Sequence, residues 1–163
     1  MNNPINLLDL AESHFKDSNY KMALEACESY LIEYPNDISG LRLKAKSLER
    51  MGDVAQAIAT ISLAISHSTQ AEPCDYFYKG RWNLSINNLS DALKDFTQVI
   101  EIGEKFDYTY YQEDAYLHRA YSFMLLNQRD KFILDLAHIG DEVRTYIHGR
   151  VISKELLVST YLR

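Results

Sequence analysis

Arg42, Lys46 and Arg50 recur at i, i+4 and i+8, so a helix would carry them as one basic stripe. Such a stripe can hold carboxylates of a partner, or it can be a solvated face paired with Glu49 and Asp53. Other chemistry is harder to find. The chain has five histidines and two cysteines without metal-ligand spacing, and it has no H-E-x-x-H, G-x-S-x-G, phosphate loop or dinucleotide glycine motif. Cys27 falls on an apolar helical face and reads as an inert thiol. The carboxylates form no recognisable catalytic pair. The reading is therefore no catalytic residue, no metal and no cofactor, hence not an enzyme.

Composition bounds the rest. At 163 residues, 47% apolar and 25% charged, the chain has the size and content of one soluble globular domain. A formal net charge of -6 disfavours nucleic acid and anionic membrane as partners and would steer a basic protein toward it. The first residues, MNNPINLLDLAESHF, have no basic start and an aspartate within the apolar run, so they do not read as a secretory signal. No segment is apolar enough for a membrane span. Two cysteines far apart suit two buried thiols in a reducing cytoplasm. The sequons at Asn83 and Asn88 read as chance matches in that setting.

The elements that would position the stripe show themselves as repeats. A small residue stands at Ala11, Ala45, Gly80 and Ala120, and twelve positions later come Ala23, Ala57, Ala92 and Phe132. The second set is spaced by 34, 35 and 40 residues. Each unit reads as two packed helices, the small residues letting the backbones approach. Asp17-Ser18-Asn19, Gly52-Asp53, Asn87-Asn88 and Asn127-Gln128 supply the turns, with residues that accept a left-handed conformation or cap the next helix. Pro35 ends one helix and Asn36-Asp37 caps another. Alternation of period two is not sustained, so no strand is expected.

This pattern resembles the tetratricopeptide repeat (TPR). The resemblance rests on Leu7, Leu10, Ala11, Ala23 and Pro35 in the first unit and Leu41, Ala45, Leu48, Gly52, Ala57 and Ala64 in the second. Tyr76, Gly80, Ala92 and Phe96 carry it in the third, and Tyr116, Ala120, Phe123 and Leu136 in the fourth. It departs from the pattern at Phe132, at Tyr30 and in keeping a closing proline only once. The resemblance implies an all-α fold, a right-handed superhelical α-solenoid of antiparallel helix pairs, in one domain over 1–163. Repeats are expected at about 4–37, 38–71, 73–106 and 113–146, followed by capping helices over about 141–163.

By the same resemblance the first helices of the units line a concave groove. Arg42, Lys46, Arg50, Phe77, Tyr78, Arg81, His118 and Tyr121 would face it, beside Leu8, Glu12, Phe15 and Met124. The implied function is an adaptor or chaperone-like module that binds a peptide segment of another protein. The family's carboxylate clamp for chaperone C-termini is not reproduced, because its positions fall on Leu8, Glu12, Leu43, Cys74 and Tyr78. Two rival readings stay open. One is an acidic inhibitor or immunity-type protein that neutralises a basic folded partner such as a toxin. The other is a self-associating structural repeat whose uncapped end or Tyr108, Tyr110 and Tyr111 segment makes a homodimer.

Overall fold

The computed structural model describes residues 4–70 and 72–162. Four turns of one design punctuate the chain. Ser18, Gly52, Asn87 and Asn127 all have positive φ, at 61°, 88°, 62° and 55°. Each stands seven residues after the small residue of its unit, where the first helix must reverse. The next amide then reaches back to a helical carbonyl, at 2.8 Å from Asn19 to His14, 2.9 Å from Asp53 to Leu48, 2.8 Å from Asn88 to Asn83 and 2.9 Å from Gln128 to Phe123. These bonds satisfy carbonyls that the helix end would otherwise leave open. Ser18 alone lacks the side chain suited to this conformation, so Ser18→Gly is expected to stabilise the protein by about 0.5–1 kcal/mol in urea unfolding.

The chain falls into two compact units, residues 1–71 and 72–163. The first contains α1 (Pro4–Lys16), α2 (Tyr20–Glu33), α3 (Ile38–Arg50) and α4 (Val54–His67). Each helix packs on the next, and α1 also touches α3. Ala11, Ala23, Ala45 and Ala57 are fully buried at the contacts, as the repeat pattern requires. Asp37 caps α3 by accepting from the Gly40 amide at 2.7 Å, and Asp53 caps α4 by accepting from the Gln56 amide at 3.1 Å.

The second unit contains α5 (Pro73–Ser85), α6 (Leu89–Phe106), α7 (Gln112–Leu125) and α8 (Arg129–Leu136). Gly80 is a true close approach, since a Cβ there would lie 2.8 Å from the Phe96 ring. The longer spacing before the fourth unit is absorbed by α6, which runs 18 residues and ends with Asp107 in the left-handed region at φ 53°. Tyr111 then seals the junction against Phe77, with ring centroids 5.0 Å apart, while Tyr108 and Tyr110 stay exposed.

The segment 141–163 corrects the expectation of capping helices only. Residues 144–153 form a β-hairpin of β1 (Arg144–Ile147) and β2 (Arg150–Ser153), and helix follows only in α9 (Lys154–Tyr161). His148 and Gly149, at φ 49° and 74°, make the two-residue turn that matches strand twist. Ile147 and Ile152 point inward and are buried, whereas Tyr146 and Val151 point outward. The fourth unit is correspondingly shorter than expected, because α8 stops at Leu136. Phe132 explains its own departure from alanine: it is fully buried, and its ring meets Tyr161 of α9 edge-on at 5.0 Å. The Tyr161 hydroxyl also donates to Asn127 Oδ1 at 2.7 Å, tying the cap to the turn before α8.

Candidate binding faces

In the first unit the basic stripe lines a cleft. Asp37 fixes the start of α3, and one helical turn apart Arg42 and Lys46 then stand half-buried opposite α1. Together with Glu12, Phe15, Lys16 and Leu43 they surround a shallow space of about 290 Å³. Lys16 lies 3.5 Å from Glu12 across one turn of α1. Arg50 does not line this space; it is exposed at the end of α3, with Nε 3.5 Å from Glu49. Lys44 points to another side of α3 and pairs with Glu28 of α2 at 3.0 Å. The cleft thus offers cations beside an aromatic ring and an aliphatic side chain.

In the second unit two of the expected surface residues belong to the core. Phe77 is 6% exposed and His118 1%. Where α5 meets α7 the Phe77 ring is surrounded by Phe96, Tyr111 and His118, at 6.2, 5.0 and 5.3 Å. His118 Nδ1 lies 2.7 Å from the Asp114 carbonyl, which makes it the N–H donor. Its Nε2 is buried without a hydrogen-bond partner. Desolvation holds the imidazole down to about 4, so it is neutral near pH 7 and cannot tune a partner there.

The remaining residues of that face keep contact with solvent. Arg81 is exposed, with its guanidinium 6.0 Å from the Phe77 centroid, and Tyr78 stacks on Trp82 at 6.1 Å. Tyr121 is half-buried against the core. Burial raises the Asp114 carboxyl, while Arg81 nearby opposes that shift. Of the cysteines, Cys27 is buried and its thiol is pushed up to about 12, as suits an inert group. Cys74 is only half-buried, because it lies at the solvent-facing start of α5, with Sγ 3.5 Å from Glu72.

With these helix pairs the chain superposes on solved structures well enough to decide the architecture. The crystal structure of MamA protein superposes at a TM-score of 0.73 with 18% identity, over 82% of this chain and 69% of that one. The TPR2B domain of yeast Sti1, in a complex with pHsp70, gives 0.67 with 15% identity, over 77% and 97%. The chain has the tetratricopeptide-repeat fold. The type III secretion translocator chaperone SycD of Yersinia enterocolitica also superposes, at 0.65 with 15% identity, over 77% and 84%. No protein-family model matches the chain, and no curated protein matches it in sequence.

Within the third and fourth TPR units lie two charge pairs that local motif reading misses. Lys79 Nζ donates to Asp95 at 2.9 Å, and Asn83 donates to the other oxygen at 2.8 Å. Forty residues on, Arg119 grips Asp135 with Nε at 2.9 Å and Nη2 at 2.7 Å. Both pairs join the first helix of a unit to its second across 16 residues. The cation immediately precedes the small residue, and the acid follows the later Ala92 or Phe132 by three. Burial still raises the Asp95 carboxyl, with Lys79 and Asn83 opposing the shift. These pairs build the scaffold rather than a reactive site. Among the described residues no group of three histidine, cysteine or carboxylate side chains could hold a metal ion, and no helix is long and apolar enough to cross a membrane.

Proposed function

We propose that this chain is a protein-interaction module, an adaptor or chaperone-like TPR unit, and that its first unit takes an extended segment of a partner in the cleft between α1 and α3. The observation that carries this is the cleft's composition. Arg42 and Lys46, with Lys16 paired to Glu12, stand around Phe15 and Leu43 within one space of about 290 Å³, so cations outnumber the carboxylate three to one. Carboxylates suit the cations, and an apolar side chain suits the ring and the leucine. A helical framework that is already folded spares the partner's binding energy the cost of ordering both sides. The solved TPR complex of Sti1 with pHsp70 and the chaperone SycD support a protein partner as the kind of ligand, and not its identity.

Phage-displayed random peptides selected on the whole chain supply the test. Wild type is expected to enrich acidic segments with one or two apolar residues. The double variant Arg42→Glu, Lys46→Glu is expected to bind them at least about tenfold more weakly, with an unchanged urea transition. Equal affinity of the two proteins for the selected peptides would refute the assignment.

A further inference from the structure

A cavity of about 360 Å³ opens within the second unit where α6 passes into α7. Glu104 lines it from α6, Thr109 from the connection, Gln112, Glu113 and Tyr116 from the start of α7, and His138 from the turn after α8. Each carboxylate is anchored through one oxygen. Glu104 Oε1 accepts from the Tyr116 hydroxyl at 3.1 Å, and Glu113 Oε2 accepts from the Gly140 amide at 3.1 Å. Neither has an ion-pair partner among the described residues, so Glu104 Oε2 and Glu113 Oε1 are left for a donor. Tyr116 is buried, and the exposed His138 ring lies parallel to it, with centroids 4.4 Å apart at 9°.

Charge selects the ligand, and the balance holds when the surroundings are counted. The lining has two carboxylates and no lysine or arginine. Residues 101–113 and 138–144 together contain six carboxylates against Lys105 and Arg144. Lys105 Nζ lies over the Phe106 ring at 5.1 Å, and Arg144 donates to the Asp141 and Val143 carbonyls. Two further cations are already paired, Lys154 with Asp141 at 3.4 Å and Arg119 with Asp135 at 2.7 Å. The rim points to a protein as the source of the incoming cation. Tyr108 is 50% and Tyr110 77% exposed on the same connection that supplies Thr109. Exposed aromatic rings serve as anchors in protein interfaces, whereas a free small cation would leave them uncovered.

We propose that this cavity takes an arginine side chain of a partner protein, its guanidinium donating to Glu104 and Glu113 while the residues beside that arginine cover Tyr108 and Tyr110. A planar guanidinium reaches two carboxylates and lies flat on an imidazole ring, which an ammonium does not. The site does not rest on the Arg42–Lys46 cleft, whose residues belong to the first unit. The probe is the peptide acetyl-GLRLG-amide, titrated into the isotope-labelled full chain at pH 7.5, above the ordinary histidine range, and followed by amide resonances.

The Thr109 and Gly140 amides are expected to shift. The double variant Glu104→Gln, Glu113→Gln keeps an acceptor for Tyr116 and for Gly140 and removes both charges. It is expected to weaken the Kd at least about tenfold with an unchanged urea transition. Tyr108→Ala, Tyr110→Ala is expected to weaken it severalfold. Equal binding of acetyl-GLELG-amide would overturn the proposal, as would shifts confined to α1 and α3 or no shift at millimolar peptide. So would methylguanidinium binding as tightly as the peptide, which would make the ligand a small cation. A doubling of mass abolished by the double glutamine variant would also overturn it, because the occupant would then be a second copy.

Discussion

Asp135→Ala is expected to lower the unfolding free energy by about 3–5 kcal/mol, measured by urea denaturation. The carboxylate is 3% exposed and takes two parallel hydrogen bonds from Arg119, whose side chain is itself mostly buried. Arg119 Nη1 also donates to Thr97 of α6 at 3.1 Å, so the guanidinium joins three helices. Removing its counter-ion leaves a desolvated charge in a geometry fixed by the other contacts. The eight residues of α8 are too few to hold as a helix alone, so its docking depends on this pair together with Phe132 and Leu136. The double variant Arg119→Met, Asp135→Leu separates a lost pair from a stranded charge. It is expected to recover most of the loss, because an apolar replacement escapes the desolvation cost of both ions. A single variant within about 1 kcal/mol of wild type would show that Arg119 finds solvent instead.

His118 gives the second large effect, and it appears only in acid. In the unfolded chain the imidazole takes up a proton near its ordinary 6.5, whereas in the fold burial delays this to about 4. Between those values the unfolded state binds more protons, so unfolding free energy rises with pH. The stability is fully present above pH 6.5 and is lost as pH falls toward 4, by about 3 kcal/mol at the lower limit. The carboxylates also titrate in this range, so the measurement is a comparison. Urea transitions at pH 7.5 and pH 4.5 are expected to fall further for wild type than for His118→Phe, by about 2–3 kcal/mol. Parallel losses in the two proteins would mean that the folded imidazole reaches a proton acceptor or water.

What the sequence reveals of this fold is whatever recurs in register. Ser18, Gly52, Asn87 and Asn127 occupy one turn position, and the buried Ala11, Ala45, Gly80 and Ala120 occupy one notch, because each repeat solves the same packing problem. The charge pairs were readable by the same rule: Lys79 and Arg119 share one offset, and Asp95 and Asp135 another. In the second unit of the pattern Lys44 keeps the cation while Thr60 stands where the acid would be, which hides the correspondence, and Lys44 turns to Glu28.

The hairpin was ambiguous for a different reason. Tyr146, Ile147 and Val151 fit one side of a helix as well as strands of four residues, and only the His148-Gly149 turn breaks the tie. The stripe itself was legible for Arg42 and Lys46, which line a cleft with residues of α1. The side to which Phe77 and His118 turn was not. A helix in a repeat buries more than one side, and the core and open sides differ by a single residue in sequence. Aromatic packing from Phe96 and Tyr111 decides which way those two turn.

The order in which helices touch has a consequence for how quickly the chain finds its fold. Within each unit nearly every packed pair joins sequence neighbours, such as α1 with α2, α2 with α3, or α6 with α7. Only short loops need closing before those contacts form, which places helix pairing in the microsecond-to-millisecond range. Contacts of α7 with β1 and α9 span more of the chain and must close longer loops. Docking of the hairpin and α9 is therefore expected to follow helix pairing in the second unit, and Tyr161, leaning on both Phe132 and Asn127, would report its completion.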